Sequence, residues 1–113
     1  MLTILQDEVK AVYEALADAT RVAFSAGETA VMVKTALEAA RAVALAAGEV
    51  EGKNEAQREA NLRQMLLPHY DALDAAERDA RTTRHMLEMA KLGVEVLRMR
   101  VRVAELTAQG VEA

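Results

Sequence analysis

A repeat of apolar residues at alternating steps of three and four constrains this chain more than any other feature. Positions 2, 5, 9, 12, 16, 19, 23, 26, 30, 33, 37, 40, 44 and 47 hold Leu2, Leu5, Val9, Val12, Leu16, Ala19, Ala23, Ala26, Ala30, Val33, Leu37, Ala40, Ala44 and Ala47, and all fourteen are apolar. That spacing keeps the side chains on one face of a slightly underwound helix, as in a left-handed coiled-coil seam. It predicts one helix over about residues 2–47, which at ~1.5 Å per residue is roughly 65–70 Å long. Gly27 lies inside it, at a cost of only ~1 kcal/mol against alanine. Large residues occupy the ends of the seam and alanine fills its middle, from Ala19 to Ala30, where a partner helix is expected to approach most closely.

Gly48 and Gly52 then bracket Glu49-Val50-Glu51, and the pattern lapses. A glycine just past the last periodic residue is the usual left-handed helix cap. Asn54 reads as the N-cap of a second helix, with Gln57 three residues on to complete a capping box and Glu55 at the positive end of the dipole. A connection of this length, residues 48–53, makes the two helices antiparallel neighbours. The second helix, about residues 54–108, carries the same repeat: Leu62, Leu66, His69, Leu73, Ala76, Ala80, Thr83, Leu87, Ala90, Val94, Leu97, Val101, Ala104, Ala108 and Val111. Only His69 and Thr83 are polar. Pro68 lacks an amide hydrogen and crowds the carbonyl four residues back, so a kink or break is expected near Leu66 to Pro68, with segments of about 54–67 and 68–108 as one outcome. The predicted architecture is all-α and a single domain: a long antiparallel helical hairpin.

From residue 85 onward a further apolar row lies beside the first: Met89, Leu92, Val96, Met99, Val103 and Leu106. A two-helix seam occupies two positions in seven, so one partner helix cannot cover both rows. Helix 1 has a weaker version in Tyr13, Ala17, Phe24 and Val31. These surpluses predict self-association, with a dimer of hairpins forming a four-helix bundle as the simplest solution. The alternative is a monomer whose segment 54–67 folds back over the second row.

Composition removes several chemistries. The chain has no cysteine, which excludes disulfides, thiolate metal sites and cysteine nucleophiles. No apolar stretch approaches the ~18 residues of a membrane span, and the start of the chain lacks a signal-like pattern, so a cytoplasmic protein without membrane contact is expected. Its two histidines, His69 and His85, are sixteen residues apart and form no His-x-x-x-His or Glu-x-x-His pair. His85 with Glu88 is a lone pair that reads as solvated polarity, and His69 reads as a break in packing. Ser25, the single serine, sits in helix 1 beside no identifiable base. No catalytic residue, metal site or cofactor is expected.

Two binding readings remain. Gly48 to Asn54 is too short and lacks the serine or threonine of a phosphate loop, but a helix N-terminus with Lys53, Asn54 and Arg58 offers a place for a phosphate, a carboxylate or a nucleotide. The other reading is that Asn54 caps the helix and the two cations are solvated. Residues 78–102 hold Arg78, Arg81, Arg84, Lys91, Arg98, Arg100 and Arg102 against Asp79, Glu88 and Glu95, a local excess of four positive charges in a chain of net charge −4. Arg98, Arg100 and Arg102 are its best candidates for nucleic-acid contact, although alternate residues on a helix do not form one flat patch. Against that, Glu77 with Arg81, Arg84 with Glu88, Lys91 with Glu95 and Glu95 with Arg98 have the spacing of a solvated, ion-paired face, and Tyr13, Phe24 and Tyr70 are the only rings available to stack on bases.

The run Gly52-Lys53-Asn54-Glu55-Ala56-Gln57-Arg58, followed by Leu62, Tyr70, Leu73, Ala76-Glu77, Ala80-Arg81, Leu87-Glu88 and Val94-Glu95-Val96-Leu97-Arg98, resembles a family of small, uncharacterised helical proteins. Bacteriophages, prophages and other mobile elements encode them, often near recombination or replication genes. The likeness covers about the second half of the chain and implies a mobile-DNA context without a reaction. The sequence thus points first to a non-enzymatic phage-type accessory or protein-interaction module. A nucleic-acid-associated factor in recombination or replication is the alternative, and an anion or nucleotide sequestering protein the second.

Overall fold

The computed structural model describes the backbone of residues 2–110 and the side chains of residues 5–110. It is all-helical, with α1 at Leu2–Ala46, α2 at Glu55–Met65 and α3 at Leu67–Ala108, and no strand among the described residues. The outermost seam positions, Leu2 and Val111, lie outside the described side chains.

The helix ends follow from local chemistry. Gly48 has φ 68° and closes α1 with paired reverse bonds, Gly48 N–H to the Leu45 carbonyl at 3.2 Å and Glu49 N–H to that of Ala44 at 3.4 Å. This is the glycine-terminated cap that satisfies carbonyls left open at a helix end. At the start of α2, Asn54 Oδ1 accepts from Gln57 N–H at 2.8 Å. The Gln57 side chain reaches back one residue beyond the cap and accepts from Lys53 N–H at 2.8 Å. The α2–α3 junction falls at Leu66, which has φ −106° and ψ 23°. Pro68 therefore stands in the first turn of α3, where its missing amide removes no helical bond.

The chain divides into two compact units, one of Met1–Ala23 with Thr82–Ala113 and one of Phe24–Arg81. In the first, Val94 and Leu97 are buried and Leu5, Val9, Val12, Leu16, Leu87, Ala90 and Val101 are half-buried, while the residues between them in sequence are mostly exposed. Each helix thus buries one heptad stripe. Thr83 is also buried, and is not without a partner. Arg100 Nη2 lies 2.9 Å from Glu8 Oε2 and 3.3 Å from Oε1. The Oε2 atom is enclosed, and its contact is ionic rather than a directed hydrogen bond.

In the second unit Ala26, Leu37, Ala44, Leu62 and Ala80 are buried, and Leu62 has no exposed surface. Four expected seam positions depart from the pattern. His69 is exposed and Tyr70 is half-buried instead, beside the break at Leu66, while Leu73, Ala76, Ala80 and Thr83 beyond it keep the counted register. Ala47 is exposed where the glycine cap turns the chain away. In the first unit Ala104 and Ala108 are exposed as well. With Glu8 already opposite Arg100, only the first turns of α1 remain to face the last turns of α3.

Candidate functional site

Three groups of residues carry the chemistry that this chain can offer. The first is the α3 row. Met89 is 54% exposed, Leu92 52%, Val96 57%, Met99 69%, Val103 62% and Leu106 39%, and Met86 continues the surface at 58%. At ~100° per residue, a row displaced by two residues from a buried stripe sits nearly opposite it on the helix. The row is therefore not beside the seam, as the sequence suggested, but on the reverse face of α3. Its exposure shows that no part of its own unit covers it. A shallow groove lined by Val96, Met99, Arg100, Val103 and Ala104 runs along it. On helix 1, Phe24 is 71% exposed, Val31 63% and Tyr13 43%.

Charged residues border the row unevenly. Glu88, Glu95 and Arg102 occupy one edge, and Met86, Gly93 and Arg100 the other. Arg98 sits farther round on the side of Arg102, so Arg98, Arg100 and Arg102 do not form one patch. Arg100 is already committed to Glu8. Of the ion pairs expected in residues 77–98, the described pair is instead Lys91 with Glu88, at 3.2 Å.

The second group is the turn before α2. Asn54 and Gln57 are engaged with the chain's own amides, Arg58 N–H donates to the Asn54 carbonyl at 3.0 Å, and Arg58 Nη1 lies 3.5 Å from the Gly52 carbonyl. Asn61 Nδ2 donates to the Glu51 carbonyl at 2.6 Å. Gly52 has φ 155°, and a Cβ there would lie 2.7 Å from Arg58 N. Lys53, Asn54 and Arg58 thus belong to a turn tightly closed by its own hydrogen bonds.

The third group escaped the sequence reading. Arg41 Nη1 donates to Glu59 Oε1 at 2.6 Å and to the Tyr70 hydroxyl, and Nη2 donates to Glu59 Oε2 at 3.1 Å. Arg63 lies over the Tyr70 ring, its guanidinium carbon 4.6 Å from the centroid. One residue each from α2 and α3 is thereby tied to the single guanidinium of Arg41 in α1. The sequence signal was faint: Arg41 directly follows a seam residue, Ala40, so it flanks the buried stripe.

The hydrogen bond from Arg41 holds the Glu59 carboxyl below its ordinary range of about 4.5. A depressed carboxylate stabilises the fold above its unfolded pKa, and that contribution disappears as pH falls through the lower folded value. Glu59→Gln should accordingly lower the melting temperature at neutral pH, by a gap that closes at acid pH. Thermal melts of both proteins across pH give the measurement, and a gap independent of pH would show that the carboxylate charge is not what matters.

Among the described residues no group of three or more His, Cys, Asp or Glu side chains is placed to hold a metal ion, and no helix is long and apolar enough to cross a membrane. His69 and His85 are both exposed. No family model matches the chain, and no curated protein or solved structure is detectably similar to it.

Proposed function

We propose that the chain is a non-enzymatic protein-interaction module, an antiparallel helical hairpin that self-associates and serves as a small accessory protein of the phage type. The observation that carries this reading is the apolar row Met89 to Leu106, exposed along about five turns of α3. Isolated apolar residues on a surface need no explanation, but a contiguous apolar row bordered by charges marks a contact site. The depletion of aromatic residues is consistent with narrow helix–helix packing rather than a ligand cavity. Four helices, two from each hairpin, satisfy the surplus apolar face of α3.

Sedimentation velocity and light scattering test the reading. A mass of twice 12.3 kDa that falls on dilution is expected, whereas a chain that remains monomeric at high micromolar concentration would defeat it. The second reading, nucleic-acid association, is favoured by one observation: no ion-pair partner of Arg81, Arg84, Arg98 or Arg102 is found among the described residues. Binding to duplex or single-stranded DNA that weakens steeply with salt, and drops on replacing Arg98 and Arg102 with alanine, would support it. Absence of binding at low salt would remove it.

A further inference from the structure

We propose that the α3 row is covered by the same row of a second copy, running antiparallel about a two-fold axis that passes between Leu97 and Arg98. This inference rests on the reading of the chain as a self-associating module and specifies its partner, direction and register.

The spacing of the row is the first reason. Met89, Leu92, Val96, Met99, Val103 and Leu106 follow steps of three and four, the period that keeps a face turned toward another helix. The seam is about 25 Å long at ~1.5 Å per residue. A row on the reverse face of α3 cannot be reached by α1 while α1 covers the buried stripe, so the second helix has to come from outside the hairpin.

Side-chain size selects the direction. In the antiparallel register Met89 faces the partner's Leu106, Leu92 faces the partner's Val103, and Val96 faces the partner's Met99. The inner layers each join one valine to one longer side chain, which keeps their volume even. A parallel register would stack Val96 on valine, Met99 on methionine and Val103 on valine, alternating thin and thick layers in a contact that favours uniform filling.

Charge selects the same direction. Along the bordering edge Glu95 meets the partner's Arg102, and by symmetry the contact forms twice. Parallel packing would instead set this edge against the partner's other edge, of Met86, Gly93 and Arg100, where the one cation is already held by Glu8. On the other edge Gly93 has nothing within 4 Å of where a Cβ would stand, which leaves room for the aliphatic stem of the partner's Arg100.

Because the contact is the same patch on both copies, it closes on itself and does not propagate into a filament.

The natural absence of cysteine makes the register directly readable. Met89→Cys and Leu106→Cys are prepared separately, and circular dichroism checks that each still folds as the parent does. Under mild oxidation a mixture of the two should give a disulfide-linked dimer, while neither alone should link to itself. In the proposed register two copies of position 89 are about 25 Å apart along the axis, far beyond the ~7 Å between Cα atoms that a disulfide tolerates. Linkage of each variant to itself would overturn the proposal in favour of a parallel pair. Failure of every combination to link, in a parent that sediments as a dimer, would overturn it by placing the contact elsewhere. A monomeric parent would overturn both this inference and the self-association on which it rests.

A charge exchange gives a second test that needs no cysteine. Glu95→Arg alone should weaken the dimer roughly tenfold, since two exposed contacts turn repulsive. Adding Arg102→Glu to the same chain should restore it. No restoration would overturn the register.

Discussion

Replacing Leu62 with alanine is expected to lower stability by ~2–5 kcal/mol, the range for truncating a fully buried leucine. Among the described residues Leu62 is the one large side chain with no exposed surface. It is also the single buried residue of α2, whose sequence is otherwise mostly polar and whose length is 11 residues. Isolated helices shorter than about 12–15 residues are marginal in water. The helicity of α2 therefore depends on docking, and docking depends on Leu62. Its loss would also loosen Glu59 from Arg41, because Glu59 lies one helical turn before Leu62. For a unit of this size each kcal/mol shifts the melting temperature by roughly 4–8 °C, so a fall of the order of 10 °C or more is expected in a thermal melt. Met65→Ala is the control. Met65 is 45% exposed at the end of the same helix, and its truncation should cost well under about 1 kcal/mol. Equal losses for the two variants would show that α2 is not held by Leu62.

The parts of this fold that were legible in the sequence are those where one helix runs without interruption. Every α1 seam position from Leu5 to Ala44 is buried or half-buried, because a periodic pattern keeps its phase as long as the helix does. The same reasoning failed at His69. The proline marked the break near Leu66, but not that Tyr70 rather than His69 would turn inward beside it, which depends on the backbone angles at Leu66. The Arg41, Glu59 and Tyr70 cluster was hidden for a related reason. Its members come from three helices, and only the loop and the junction decide which of their turns stand level. The relation between the two rows of α3, by contrast, was available all along. A displacement of two residues is about 200° on a helix, so a row two positions from a seam lies behind it. The apolar surplus therefore lies where α1, packed on the buried stripe, cannot cover it.

That geometry leads to the largest expected effects, at two valines separated by one residue. Val94 is 5% exposed and belongs to the buried stripe, while Val96 is 57% exposed and belongs to the outer row. Glutamate at position 94 would place a carboxylate in the buried stripe of α3. An unpaired buried charge costs several kcal/mol even after relaxation, which approaches the whole stability of a small helical protein. Val94→Glu should be unfolded, or folded only at a pH low enough to protonate the new side chain. Glutamate at position 96 meets water in the single chain, so the helices should form and the circular dichroism of the dilute protein should match that of the parent. In the proposed dimer the same residue stands next to the axis, and two carboxylates would enter the seam together. Desolvation of both, with their mutual repulsion, should weaken association at least about a thousandfold. Sedimentation would then find Val96→Glu monomeric at concentrations where the parent is dimeric. Its melting temperature should no longer rise with concentration, because only a protein stabilised by its own association gains from mass action. A Val96→Glu protein that remains dimeric would show that the row is not the contact. A Val94→Glu protein that folds normally at neutral pH would show that the buried and outer faces of α3 have been assigned the wrong way round.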